Sequence, residues 1–313
     1  MFIVGCLLIL IFAQNTNSQE VSLEKTDTGY QVAIDGALFA QYRTNFNGTP
    51  IVWPIFGPSG QRMTRNYPMS DDFQDEKKDH PHHRSLWFTH DEVNGNRHWM
   101  SSVIEHQEFL KAESDGKKAV IATKNNWLDQ KTNETVCSDI RTLTFGMIQG
   151  VRYLDFNITV TAEQETVTFA DTKEGTFGIR VPSSMDVDAK KIDPQLGGTI
   201  TNAEGIRNDE AWGKRSPWVD YSGPVDGKIA GITIMNHPDS FRYPTYWHVR
   251  TYGLFAANPF GVHEFEKKPE LSGELVLKKG ESLTLKYRVL FHDGDADSLD
   301  IPKLFEAYCG TSQ

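Results

Sequence analysis

Cysteine is scarce in this 313-residue chain, at three in all, so a disulfide framework cannot carry the fold. Long hydrophobic runs are missing as well. The one apolar run, Phe2 to Ala13, falls short of the ~20 residues that a membrane-spanning helix takes, which excludes a polytopic membrane protein. Positive charge is in deficit. The 32 Lys and Arg face 42 Asp and Glu, a net charge of −10, and that argues against a nucleic-acid-binding surface as the main function. There is no Gly-x-Ser-x-Gly elbow, no Walker loop, no dinucleotide fingerprint and no Cys-x-x-Cys pair. Nucleophilic serine or cysteine catalysis therefore has no support.

Aromatic residues, by contrast, are plentiful. They make up 11%, with seven Trp and eighteen Phe, which rules out a disordered chain. Most sit beside polar and charged residues, a pattern suited to a wet, concave site for a polar ligand. At the N-terminus the apolar run is followed by the polar stretch Gln14 to Gln19. This reads as a secretory signal peptide over residues 1–18, with the mature protein starting between Asn15 and Glu20. The expected location is then periplasmic or extracellular, with no membrane segment left after cleavage. Cys137 and Cys309 would remain, as one disulfide or two thiols.

Residues 19–313 read as a single all-β domain, since no repeat and no low-complexity linker divides them. Gln31 to Ile34, the Asp35-Gly36 turn and Leu38-Phe39 predict a hairpin. From Val151 the period is two, with Leu154, Phe156, Ile158 and Val160 on one face. Leu275 to Leu277, a turn at Lys278 to Glu281 and the alternating Leu283 to Phe291 predict a second hairpin. One amphipathic helix stands out, Ile301 to Tyr308, with Pro302 in its first turn. Roughly fifteen or more short strands imply a large antiparallel sandwich with that helix packed outside.

Two long stretches break the strand pattern, Pro54 to Trp99 and Gly197 to Phe260. Long irregular segments in a compact domain are usually functional. The first holds Asp79-His80-Pro81-His82-His83-Arg84. Pro81 favours an extended His80, which would send His80 and His82 to one side and His83 to the other. Such imidazoles can supply a proton donor and hydrogen bonds to sugar hydroxyls, with Arg84 binding a carboxylate or stabilising an oxyanion. His80 and His82 also fit a Zn²⁺ or Cu²⁺ site if a third ligand joins them, and a purely structural role by Pro81 is the plain alternative. In the second stretch Trp212 and Trp218 lie close to Lys214 and Arg215 and can stack on sugar faces. Glu204 is a candidate base in a Gly-flanked turn, or a salt-bridge partner for Arg207. Further along come His237, Arg242, Trp247, His248 and Arg250, and alternation puts His248 and Arg250 on one strand face.

The runs His80 to His90, Asp91 to Gly95, Gly175 to Arg180, Asn202 to Tyr221 and Pro244 to Gly261 resemble the PmoA-like family of bacterial secreted proteins, over nearly the whole mature chain. That family in turn resembles the galactose mutarotase-like β-supersandwich, whose members bind sugars on a concave sheet. The "methane oxygenase" in the family's label does not fit, because the membrane oxygenase subunit has many helices and this chain has no such segments. The resemblance implies His90, Asn94, Arg180, Asn208 and Asn258 as further sugar contacts and Tyr221 as a candidate acid or base. His83, His248, Arg84, Glu204, His237 and Tyr221 are then the expected catalytic set, with His80, His82, Trp212, Arg215, Trp218, Arg242, Trp247 and Arg250 binding substrate.

Three functions follow from these readings. An acid/base enzyme on a sugar or oligosaccharide (lyase or dehydratase, epimerase or mutarotase, or hydrolase) accounts for the most residues. Hydrolysis would need two opposed carboxylates, for which only Glu204 and Glu264 offer themselves. A non-catalytic sugar-binding module uses the aromatics and leaves the many His and Arg idle. A metal enzyme uses His80 and His82; otherwise no cofactor is expected. The sequence expects His80, His82, His83, Arg84, His237, His248 and Arg250 to meet in one pocket, with Trp212, Trp218 and Tyr221 on its wall.

Overall fold

The computed structural model describes residues 19–310. The expected signal peptide and Cys6 lie outside the described residues. In chain order the first strands are β1 (Val21–Thr26), β2 (Gly29–Ile34), β3 (Ala37–Phe46), β4 (Thr49–Ile55) and β5 (Leu86–His90). Four long strands follow, β6 (Ile104–Ser114), β7 (Lys118–Leu128), β8 (Thr135–Ile148) and β9 (Val151–Ala162). Then come β10 (Thr166–Phe169), β11 (Gly175–Arg180), β12 (Thr199–Asn202), β13 (Trp218–Val225) and β14 (Lys228–Asn236). The last are β15 (Tyr246–Val249), β16 (Leu254–Asn258), β17 (Leu275–Lys278) and β18 (Ser282–Asp293), with helices α1 (Val262–Glu266) and α2 (Ile301–Gly310).

These strands form two eight-stranded antiparallel sheets and one small ribbon. The first sheet has the order β1-β2-β3-β4-β5-β11-β16-β15, and the second β12-β13-β14-β18-β9-β8-β7-β6. The fold is the large antiparallel β-sandwich with a C-terminal helix that the sequence implies. Alternation along each strand decides what lies between the sheets. Leu86, Phe88, Phe177, Ile179, Phe255 and Ala257 of the first sheet meet Leu154, Phe156, Ile158, Val160 and Val289 of the second in one buried cluster. Their neighbours in sequence, among them Trp87, Leu254 and Ala256, face away from it into a separate cluster on the outer face of the first sheet.

The β2–β3 hairpin turns at Asp35 and Gly36, both with positive φ (51° and 75°), the geometry that a two-residue hairpin turn needs. The second expected hairpin is corrected. β17 pairs with β10 in the two-stranded ribbon, whereas β18 pairs with β9 and β14. The Lys278–Glu281 turn is present, with Glu281 N donating to Lys278 O. It diverts the chain from the ribbon into the second sheet, which a local pattern cannot distinguish from a hairpin. Helix α2 buries Ile301, Leu304 and Tyr308 against Val151, Trp218, Met235 and Leu290 on the outer face of the second sheet. Cys137 and Cys309 are free thiols. Among the described residues no helix is long and apolar enough to cross a membrane.

Candidate functional site

The outer face of the first sheet carries the densest gathering of polar and aromatic side chains in the two irregular stretches. Trp87 on β5 and Trp99 from the following loop lie against each other at 4.9 Å between ring centroids. Gly178 on β11 makes room for them, because a Cβ there would sit 2.9 Å from Trp87 and 3.0 Å from Trp99. His83 stacks on Trp87 at 5.5 Å. His80 stacks on His83 at 4.8 Å, and Tyr252 stacks on His80 at 5.1 Å. His82 meets His83 edge-on at 4.5 Å.

All three imidazoles therefore lie together, which corrects the expected split between two sides. His80 has a positive φ of 45° and its carbonyl accepts a hydrogen bond from His83 N at 2.9 Å. The segment is a turn, so strand alternation does not apply. Arg65 fixes that turn by donating to the carbonyls of Tyr67, Lys77 and His80 and to Asp79 Oδ1. The loop between is closed by the Glu76 carboxylate, which accepts from the backbone N–H of Asn66 and Tyr67.

Protonation states follow from these bonds. Burial pushes the Asp79 carboxyl up, but Arg180, His80 and Arg65 together outweigh it and hold the group at about 2. An ionised carboxylate only accepts, so the 2.7 Å contact between Asp79 Oδ2 and His80 Nδ1 places a proton on Nδ1. That leaves His80 Nε2 as the ring nitrogen not engaged by Asp79. His83 is arranged in the opposite sense. Arg180 Nη1 donates to His83 Nδ1 at 3.1 Å, and an arginine cannot accept. The His83 proton is then on Nε2. Burial, followed by the charge of Arg180, keeps this ring well below its ordinary pKa and hence neutral. His82 is lowered to about 4, first by burial and then by the neighbouring His80 and Arg84.

Arg180 also donates to Asp79 Oδ1 at 3.0 Å, so one guanidinium sets both rings. Behind it Asp186 pairs with Lys77 Nζ at 2.6 Å. Gly253, with φ of 98°, permits this approach, since a Cβ there would meet Asp186 Oδ1 at 2.1 Å.

From Tyr252 the contacts run on to the second irregular stretch. The Arg250 guanidinium sits 5.6 Å from the Tyr252 ring and 5.7 Å from the Trp212 ring. Trp212 meets His248 edge-on at 6.3 Å. His248 on β15 and Arg250 just after it lie outside the core cluster, while Trp247 and Val249 are in it. His248 is fully buried with Nδ1 unpartnered, and burial, then the charges of Arg250 and Lys173, lower it to about 3. Beside Trp212 and Arg250 opens a cleft of about 960 Å³, lined also by Lys214, Arg215, Tyr246 and Glu266. Two segments more than a hundred residues apart thus share one face and one run of contacts.

A family profile matches residues 29–306. The chain belongs to DUF6807, a family of unknown function. No curated protein sequence matches it. Among solved structures it is similar to a polysaccharide lyase at 14% identity, covering 89% of this chain and 33% of that one, with a TM-score of 0.35. It is similar to a GH36 α-galactosidase from Geobacillus stearothermophilus in complex with stachyose, at 8% identity over 88% of this chain and 41% of that one, TM-score 0.42. A galactose mutarotase-like protein from Clostridium acetobutylicum is similar at 12% identity, with 88% and 99% covered and a TM-score of 0.42. The chain spans about a third of the lyase and two fifths of the galactosidase.

Several expected site residues of this DUF6807 chain lie elsewhere. His237 packs edge-on against Tyr308 of α2 at 4.9 Å, and Trp218 lies under the same helix, both on the second sheet. Tyr221 is in the core, where its hydroxyl donates to Arg250 O and accepts from Val187 N, and Trp247 is there too, donating from Nε1 to Ser216 O. These aromatics fall on the inward or helix-covered side of strands, where packing outweighs their polar neighbours. His90 lies between Phe169 and Phe260, donating to Ala170 O.

Asn94, Asn208 and Asn258 bond backbone groups, Asn94 donating to Thr166 O, Asn208 accepting from Ile200 N and Asn258 from Phe260 N. Arg242 clamps the carbonyls of Pro259, Gly273 and Glu274. Arg215 donates to Pro244, Arg242 and Tyr243 carbonyls while lining the cleft. Glu204 is exposed in its turn and Glu264 pairs with Lys173 at 3.3 Å, so the two carboxylates are not an opposed pair at the cluster. Among the described residues no three His, Cys, Asp or Glu side chains are grouped to hold a metal ion, so His80 and His82 gain no third ligand. Asp79, Arg65, Asp186 and Tyr252 are functional candidates that the sequence did not single out. Asp79 adjoins the histidine run, which was the available signal.

Proposed function

We propose that this protein performs acid/base chemistry on a sugar or oligosaccharide at the outer face of its first sheet. The observation that carries the proposal is the pair of imidazoles stacked 4.8 Å apart, His80 with Nδ1 bonded to Asp79 and His83 with an Nε2–H donor. His80 takes a proton from the sugar at Nε2, and the charge that forms is shared with Asp79 through Nδ1–H. His83 donates to the oxygen on which negative charge develops, the role that a neutral, desolvated imidazole suits. Tyr252 and Trp212, both half-buried, offer faces for the C–H surface of the ring. A base and a donor on one side, with Glu204 and Glu264 not forming an opposed pair there, favour elimination, dehydration or epimerisation over hydrolysis.

The proposal keeps the PmoA-like resemblance in its sugar-binding sense and sets the oxygenase label aside. It includes export, with residues 1–18 removed as a signal peptide. Mass spectrometry of oligosaccharide libraries incubated with the protein tests the chemistry. A loss of water, a new unsaturated end or an epimer of unchanged mass resolved by chromatography supports it. Sugar binding without any turnover would instead indicate a binding module. N-terminal sequencing of native protein tests export, and Met1 at the start would contradict it.

A further inference from the structure

Most of the buried arginines sit beside a carboxylate or several backbone carbonyls, and Arg84 has the fewest such partners. Arg141 pairs with Asp139, Arg288 with Asp155, and Arg65 and Arg180 share Asp79. Arg242 donates to three backbone carbonyls, and Arg152 donates from Nη1 to two, with its Nε buried unpartnered but Asp293 and Asp35 near enough to raise its pKa against burial. Arg84 is 5% exposed, yet only its Nη1 has a partner, the hydroxyl of Thr49 at 2.7 Å, and its Nε is buried without one.

Thr49 lies two residues before Ile51 on β4, so it shares Ile51's outer face, and Arg84 is close enough to His82 to lower its pKa. Burial is the only influence on Arg84 itself, lowering it to about 10 with no carboxylate to offset the cost. A buried cation left unpaired is expensive to keep, and such groups persist where an anion arrives to meet them. At the other end of the cluster Arg250, half-buried, faces the Tyr252 and Trp212 rings and has no ion pair among the described residues, with Asp209, Glu210 and Glu266 lining the same cleft.

We infer that the ligand of this site is an acidic saccharide whose anionic group, a carboxylate or a sulfate ester, is received by Arg84. The inference rests on the sugar reading of the site and adds the substrate's charge. A guanidinium matches either group with two parallel N–H donors, and Arg84 has donors to spare where a neutral hydroxyl would use one.

The test is isothermal titration of the full chain with trigalacturonate, a sulfated carrageenan oligosaccharide and neutral galactotriose. Trigalacturonate binding that weakens roughly tenfold to a hundredfold in Arg84→Met, the weight of charge-assisted bonds, is the expected result. Arg84→Lys should recover part of it, and serves alone if the Met variant does not fold. The same Arg84 dependence seen only with the carrageenan probe supports the inference with sulfate as the anion. Galactotriose binding as tightly as the acidic probes, unchanged in Arg84→Met or Arg84→Lys, overturns the acidic substrate and leaves the sugar reading intact. Binding of none of the three overturns both.

Discussion

Arg180 donates from Nη1 to Nδ1 of His83, across 3.1 Å and 97 positions of sequence. The same guanidinium reaches Asp79, which fixes the proton of His80 on the opposite nitrogen. One buried cation therefore fixes the proton of one ring directly and that of the next through Asp79. The sequence leaves open whether His83 is an acid or a base; its Nδ1 is occupied and its Nε2 carries the proton.

The donor role of His83 predicts an asymmetry between substitutions. His83→Ala should lower turnover by roughly 10²–10³-fold, the weight of one donor to a developing oxyanion. His83→Gln, whose amide also donates N–H, should recover a good part of that loss. Steady-state kinetics on any substrate found will show it. Equal loss in both variants would mean that His83 moves a proton.

Acid should destabilise the fold well before its carboxylates titrate. Burial lowers His90 and His98 to about 4 and His248 to about 3, against 6.5 in an unfolded chain. The folded state then binds fewer protons than the unfolded one between those values. Stability is full above 6.5 and is lost as pH falls toward 4. Asp186, which burial raises to about 6 against its Lys77 partner, and His292, raised against burial by its bond to Asp220, act in the opposite sense, but His82 and His83 are lowered as well and the lowered rings outnumber them. Melting temperature measured from pH 7.5 to 4.5 should fall steadily, and less steeply in His90→Asn. A flat profile would mean that these rings are not buried as neutral groups.

Between the sheets, Asp139 accepts from Arg141, Asn125 and Trp127, all within the core. Removing the carboxylate strands a fully buried guanidinium. Asp139→Ala should cost about 3–5 kcal/mol in urea denaturation, the range for breaking a buried pair. A loss under about 1 kcal/mol, the level of a surface ion pair, would place the pair in solvent.

Leu304→Ala in α2 should cost about 2–4 kcal/mol as a core truncation. It should leave saccharide affinity per folded molecule unchanged, because α2 lies on the outer face of the second sheet, away from the imidazoles. Titration at a temperature where the variant is folded will show this. A changed affinity would move the site toward the helix, where His237 and Trp218 lie.

Much of the architecture is legible in period alone. Leu154, Phe156, Ile158 and Val160 announce a buried face, and they occupy it. Asp35-Gly36 announces a turn, since both positions tolerate positive φ. The site was legible only as two stretches rich in the right residue types. Within them, which Trp or Tyr is exposed depends on the opposite sheet and on α2, so Trp218, Tyr221 and Trp247 read like Trp212 in sequence but are packed away. The partners of the histidines were beyond reach for another reason. Asp79 meets Arg180 across 101 positions, and no local pattern encodes a pairing between a loop and a strand that far apart.

The central claim is that His80 Nε2, backed by Asp79, is the base. Its most direct test is the turnover of acidic oligosaccharides by wild-type protein, His80→Ala and Asp79→Asn, followed across pH. A fall of roughly 10²–10⁴-fold in His80→Ala, with binding little changed and a comparable fall in Asp79→Asn, is predicted. Wild-type turnover in His80→Ala would contradict the account.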